Sequence, residues 1–255
     1  MSFMQFDYPT PRLHPKHNNW CEDLPENHEP QLVPPQLRWL TERNDIYLEV
    51  PRYRTEVMWG GMLLSAFLSL ACAVLSLILA FVMTAGLKWY DLYGILIWLW
   101  AGGFFPPLIL YCLKMYFVEP RSQPIRLNRK RQKLYVYNYK QPWQPWRKAI
   151  TRISVYHWAD IHGEVHFEST PAISGYHLYG ALCEPGTHQV VERFVLAKEW
   201  GEREQLNQIW SYLCMYMQHD DELPPPRNAG TADFWQPRKA DAWPEAMERE
   251  STSTP

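Results

Sequence analysis

Two long apolar runs dominate the pattern of hydrophobic and polar positions. Between Glu56 and Lys88 lie 31 residues without a charge, Val57 to Leu87, and between Asp91 and Lys114 lie another 22, Leu92 to Leu113. A helix needs roughly 20 apolar residues to cross a ~30 Å hydrocarbon core. The pattern therefore predicts a transmembrane hairpin over residues 51–118, with spans at about 57–87 and 92–113. The first run is longer than a crossing requires, so it either tilts or lays its ends in the interface. Only Lys88, Trp89, Tyr90 and Asp91 separate the two runs, which makes the helices antiparallel neighbours. Trp59, Trp89, Tyr90, Tyr93, Tyr111 and Tyr116 fall where interfacial aromatic belts are expected.

Small residues recur at four-residue steps in the first span, as Ser65, Ser69 and Ala73 and as Cys72, Ser76, Ala80 and Thr84. Such stripes let helices approach closely. They face either the second span, which carries Gly94, Ala101, Gly102 and Gly103, or a partner protein. Pro106 and Pro107 predict a kink in the second helix.

On either side of the hairpin the period changes. Residues 1–50 form a proline-rich arm, expected to be irregular apart from a short helix near Gln36 to Arg43 and a strand at Asp45 to Val50 that could join the following sheet. Residues 119–222 read as a β-rich domain. Lys133 to Tyr139 alternates with period two, and Ala149 to Trp158 and Glu164 to Glu168 read as further strands. Tyr176 to Cys183 and His188 to Ala197 flank the turn Glu184-Pro185-Gly186-Thr187, which predicts a hairpin. Leu206, Ile209, Trp210, Leu213, Cys214 and Met217 share one face of a helix at about 199–219. The expected class is thus an α+β membrane protein: a two-helix hairpin plus an antiparallel β domain closed by a C-terminal helix. That strand order suits a pleckstrin-homology-like (PH-like) barrel and other small α+β sheets alike. Residues 223–255 lack periodicity and are expected to form a disordered acidic tail.

Composition by itself hides the membrane segment, since mean hydropathy is -0.37 and net charge only -2. The distribution of charge is more telling. Pro120 to Ala159 holds ten basic residues and no acidic one, whereas Asp220 to Pro255 holds eight acids against four bases. Arg52 and Arg54 before the first span, and Lys114, Arg121, Arg126, Arg129, Lys130 and Arg131 after the second, put both flanks and both termini in the cytoplasm by the positive-inside rule. The basic stretch is also a candidate surface for anionic headgroups, carried by Arg121, Arg126, Arg129, Lys130, Arg131 and Lys133 with Trp143 and Trp146. Nucleic acid is not expected as a partner at a juxtamembrane position. The first fifty residues show no apolar signal-peptide core. The five cysteines match no zinc or redox spacing and suit a reducing compartment.

The stretch Ile125 to Tyr137, IRLNRKRQKLYVY, with its strand entry at Asn128 to Arg131, resembles a bacterial family known only as domain of unknown function 6708. The helix end from Trp210 through Met217 to Leu223-Pro224-Pro225 is a second matching feature, and the resemblance extends over about Asp45 to Pro225. It implies two spans followed by a soluble β-rich region, in a bacterial inner membrane. Genes of the family often lie near type VI secretion effectors, which implies an immunity protein or accessory factor that binds a cognate effector. The long proline-rich arm and the acidic tail depart from the family pattern.

Motifs for chemistry are absent: there is no phosphate-binding glycine loop, no G-x-S-x-G and no H-E-x-x-H. No catalytic residue, metal or cofactor is expected. His157, Asp160, His162, Glu164 and His166 are the nearest approach to a site. In a strand, His162, Glu164 and His166 share a face but stand more than ~6 Å apart at each step. The expected reading is a polar sheet face with solvated histidines. Two functions remain open: an immunity protein blocking a toxin, or an adaptor whose β domain binds anionic lipid or a protein partner. Neither oligomeric state nor partner identity is legible.

Overall fold

The computed structural model describes residues 10–52, 56–85, 92–120, 122–140, 142, 144, 146–169, 174–199, 203–218, 223–230 and 241–255. The two apolar runs form helices α1 (Glu56–Ala85) and α2 (Leu92–Val118). Both are long and apolar enough to cross a membrane. They pack on each other along a seam on which Ala66, Ser69, Ala73, Ser76 and Ala80 are buried. Steps of three and four along this seam follow a seven-residue repeat, so small side chains stay on one line as the helices run together. Four of the five predicted packing residues lie on it; Ser65 instead faces outward, and Ala66 takes its place. Gly102 of α2 fits against Leu77, whose Cδ2 would stand 3.2 Å from an added Cβ. α2 continues as helix through Pro106 and Pro107. The turn Lys88 to Asp91, Arg54, Arg121, Trp143 and the Trp59 side chain lie outside the described residues.

Eleven strands are described. β1 (Trp20–Asp23), β2 (Trp39–Leu40), β3 (Glu42–Arg43) and β4 (Tyr47–Val50) precede the hairpin. After it come β5 (Ile125–Asn128), β6 (Lys133–Lys140), β7 (Ile150–His157), β8 (Ile161–Ser169), β9 (Ser174–Cys183) and β10 (Val190–Glu199). Helix α3 (Arg203–Met217), β11 (Asn228–Ala229) and helix α4 (Glu245–Thr252) complete the chain. One sheet has the order β3-β4-β5-β6-β7, a second β1-β8-β9-β10, and β11 pairs with β2. The strand expected at Asp45 to Val50 does join the sheet beyond the hairpin, with Val50 opposite Ile125 and Tyr47 opposite Asn128. The helix expected near Gln36 to Arg43 is instead β2 and β3. Tertiary pairing to β11 and β4 overrides the weak local preference there.

Between the two larger sheets lies the core. Leu127, Leu134 and Val136 meet Ile161, Val165, Leu178 and Leu196, and α3 closes the stack with Leu206, Ile209, Trp210 and Leu213. The predicted apolar face of α3 is buried throughout, but so are Tyr212 and Tyr216 on its other side. The arm passes over that side: Arg43 Nη1 donates to the Tyr212 hydroxyl at 2.6 Å and the Tyr216 hydroxyl to the Asn44 carbonyl at 3.0 Å. Gly163 is required where β8 passes under α3, since a Cβ there would stand 2.8 Å from the Trp210 ring.

At the junction with the hairpin, Arg52 is buried. Its Nε donates to the Gln123 carbonyl at 2.7 Å, Nη1 to Val195 at 3.1 Å, and Nη2 to the Tyr137 carbonyl and, at 3.0 Å, to Asn138 Oδ1. One guanidinium thus joins the start of the hairpin, its exit and both sheets.

Arg52→Met should cost about 2–4 kcal/mol of stability, because several buried oxygens lose a charged donor. Gly163→Ala should cost about 1–3 kcal/mol by overpacking against Trp210. Chemical denaturation of the detergent-solubilised chain measures both. Wild-type midpoints for either variant would contradict the packing described.

Candidate functional site

Three places gather the residues that sequence alone singled out. The first is the basic stretch. The side chains of β5 and β6 alternate, so Leu127, Leu134 and Val136 enter the core while Arg126, Asn128, Tyr135 and Tyr137 occupy the outer face. That face is covered by the C-terminal tail. Arg126 pairs with Glu49 at 2.6 Å and Glu248 at 2.9 Å, and its guanidinium lies 4.8 Å from both the Tyr47 and Trp243 ring centres. Asn128 donates to the Ser251 and Ser253 carbonyls at 2.9 Å each, and Arg131 Nε to Ser253 at 3.1 Å. Lys133 pairs with Glu250 at 2.9 Å, and Trp243 meets Tyr137 edge-on at 5.5 Å.

This overturns two expectations. Residues 241–255 are an ordered part of the domain, carrying α4, rather than a disordered tail, because their acids meet the basic face of the sheet. Arg126, Arg131 and Lys133 do not form a free headgroup surface, since the tail engages them. Arg129 is buried and pairs with Asp45 at 3.5 Å. Lys130 is exposed beside Arg43, Asp45 and Tyr216 in an open cleft of about 470 Å³. That cleft lies at the end of the sheet away from the helical hairpin. The Arg129 to Gln132 turn follows Asn128, three residues or about 10 Å beyond the hairpin junction at Ile125, on the side away from the helices.

The second place is the outer face of β8, where His162, Glu164 and His166 alternate as expected. They are not solvated; all three are buried. The arm covers them, Leu13 packing on Ala181 and Cys183 and His17 stacking on His166 at 4.6 Å. Glu164 accepts from Arg193 at 2.7 and 3.2 Å and lies 3.0 Å from His166 Nε2. His166 also stacks on Tyr179 at 4.3 Å. His157 and Asp160 sit apart, at the end of β7 and in the short turn before β8. Sequence reasoning missed His17, His177 and Arg193, which reach this face from the arm, β9 and β10.

Glu26, His162 and His188 bring potential ligand atoms within 4.8 Å of one another. His162 Nδ1 is 2.7 Å from one Glu26 oxygen; His188 Nε2 at 3.3 Å and Arg12 Nη1 at 3.1 Å approach the other. A divalent cation would share this carboxylate with the Arg12 guanidinium. The charges fit a carboxylate surrounded by donors better than a metal centre. Burial holds His162 and His177 below the ordinary histidine value, against the pull of Glu26 and Glu168. For Glu26 and Glu164 burial acts upward, but His162 and Arg12, and His166 and Arg193, outweigh it and hold both carboxyls low.

The third place is the β6–β7 loop. It returns to the hairpin, where the Lys114 ammonium donates to the Arg147 carbonyl. Between α2 and this loop opens a cleft of about 490 Å³, lined by Lys114, Val118, Tyr139, Trp146, Arg147 and Lys148 among others. Trp146 is 69% exposed at its rim.

The chain matches a family of unknown function (DUF6708) over residues 104–236, half of its length, from the middle of α2 through the β domain. It belongs to this family. No curated protein and no solved structure matches the chain. The matched segment contains the cleft, the buried face of β8 and all of α3, but not β3 and β4, which complete the five-stranded sheet, nor α4, which covers it.

Because their folded pKa values are depressed, His162 and His177 contribute fully above the unfolded value near 6.5 and lose that contribution as pH falls through the folded values. Glu26 and Glu164 contribute fully above about 4.5 and less below it. The melting temperature of the solubilised chain should therefore be level above neutral, decline from about pH 6.5 and fall further below about pH 4.5. A flat profile between pH 7 and 5 would contradict this, and His162→Gln with His177→Gln should flatten the upper part of the slope.

Proposed function

We propose that the chain is a non-enzymatic, membrane-anchored binding protein of the bacterial inner membrane, with two passes and both termini in the cytoplasm. Its β domain, PH-like in the order of strands β4–β10 and α3, engages anionic lipid or a protein partner at the membrane face. The observation that carries this reading is the pairing of β4 with β5. These strands are the segments immediately before α1 and after α2, so one sheet receives both ends of the hairpin. Such a domain has no long linker and works at the bilayer surface. The carboxylates and histidines that would interest an enzymologist hold the arm in place instead, which favours binding over catalysis. The immunity role implied by the family resemblance is one form of this proposal, in which the partner is a cognate type VI effector neutralised by binding.

Three measurements test it. After cell fractionation the chain should stay in the membrane pellet through an alkaline carbonate wash, and protease added outside spheroplasts should leave the β domain intact. Release by carbonate, or cleavage from outside, would overturn the anchoring or the orientation. Co-expression with an adjacent toxic gene should restore viability if the partner is that toxin. Equal lethality with and without the chain would remove the immunity form and leave the adaptor.

A further inference from the structure

The sheet register assigns heights above the membrane, and they single out one cationic surface. Val50, Ile125 and Val136 lie side by side across β4, β5 and β6 at the hairpin end of the sheet. β6 then runs on to Lys140, paired with Ile150. Those four residues carry it about 13 Å further toward the helices. The β6–β7 connection therefore extends beyond the hairpin ends of β4 and β5 in the five-stranded sheet. It comes to rest on Lys114, one helical turn or about 6 Å before the end of α2. Lys114 is also the first charge after the apolar run ending at Leu113, so it marks the edge of the hydrocarbon. Trp146 and Ile150 are exposed at this level, although nothing in the domain's own packing calls for an exposed tryptophan.

We infer that the cleft between α2 and the β6–β7 loop binds the headgroup of an anionic phospholipid from the same bilayer. This inference rests on the membrane-anchored reading above. Lys114, Arg147 and Lys148 supply positive charge to a phosphate, against the nearby Glu119, whose charge acts on Tyr139. Burial first, then Glu119 and Tyr137, push the Tyr139 hydroxyl up to about 12, so it remains a neutral donor beside the cleft. Trp146 stands at the rim with its indole free to lie among headgroups, where tryptophan is favoured. The Arg129 to Arg131 turn is excluded from this role by its position at the far end of the sheet. An acyl chain of that lipid would run down α2 on the apolar side of Lys114, beside the exposed Leu110.

The test uses the full chain purified in a mild detergent. Retention of phosphatidylglycerol and of phosphatidylcholine is measured by native mass spectrometry, and carbonate fractionation of the same strains is run in parallel. Wild type should retain phosphatidylglycerol in preference to phosphatidylcholine. Arg147→Gln with Lys148→Gln leaves the backbone carbonyl that holds Lys114 and should weaken retention by roughly 30-fold, given the contribution of each basic residue at a membrane surface. Lys130→Gln, at the far end, should bind like wild type. Equal retention of the two lipids, an unaffected double variant, or an equal loss from Lys130→Gln would each overturn the cleft while leaving the anchored reading intact. Carbonate release of the wild-type chain would overturn both.

Discussion

The pairing of β4 with β5 is the constraint on which the rest of the structure depends. These strands are separated in sequence by the whole hairpin, yet Val50 and Ile125 are direct neighbours. Closing so long a loop has an entropic cost that rises only slowly with its length. The hairpin lowers it further, because two antiparallel helices of similar length return the chain to where it left. Arg52 fixes the junction. It extends one guanidinium to the connector after α2 and to strands of both sheets, so that the helices, the five-stranded sheet and the three strands β8–β10 share one anchoring point. A residue that signals topology in the sequence is thus also a structural tie.

With that junction made, the two termini cover the two outer sheet faces. The arm lies over β8 and β9, where it surrounds Glu164 and Glu26 with histidine and arginine donors. The tail lies over β5 and β6, where Glu248 and Glu250 meet Arg126 and Lys133. Each arrangement buries charge next to opposite charge, which is tolerable only when both partners are present and well placed. The outer faces are consequently occupied, and the exposed apolar and cationic surface moves to the hairpin end, in the β6–β7 loop and the final turns of α2.

This distribution explains why a basic run is a poor guide to its own function. Ten cations without an acid between Pro120 and Ala159 look alike in sequence. In the fold, strand alternation and turn position divide them. Arg126 goes under the tail, Arg129 against Asp45, Lys130 to the far end, and Arg147 and Lys148 to the end beside α2. The acids that neutralise the first group lie more than a hundred residues away or on the other side of the hairpin.

The sequence by itself determined the two long apolar helices, a strand ending at Val50, the β9–β10 hairpin and the apolar face of α3, because each depends on a local period or on an uninterrupted apolar length. It also determined that His162, Glu164 and His166 share a face, which follows from strand alternation alone. Only the tertiary structure decided what covers that face, that residues 241–255 are ordered, and that Trp39 to Arg43 is strand rather than helix. Those outcomes depend on hydrogen bonds and ion pairs between distant segments, which no local periodicity records. The cleft beside Lys114 belongs to the same class, since it exists only where the end of α2 and residues 146–149 are brought together.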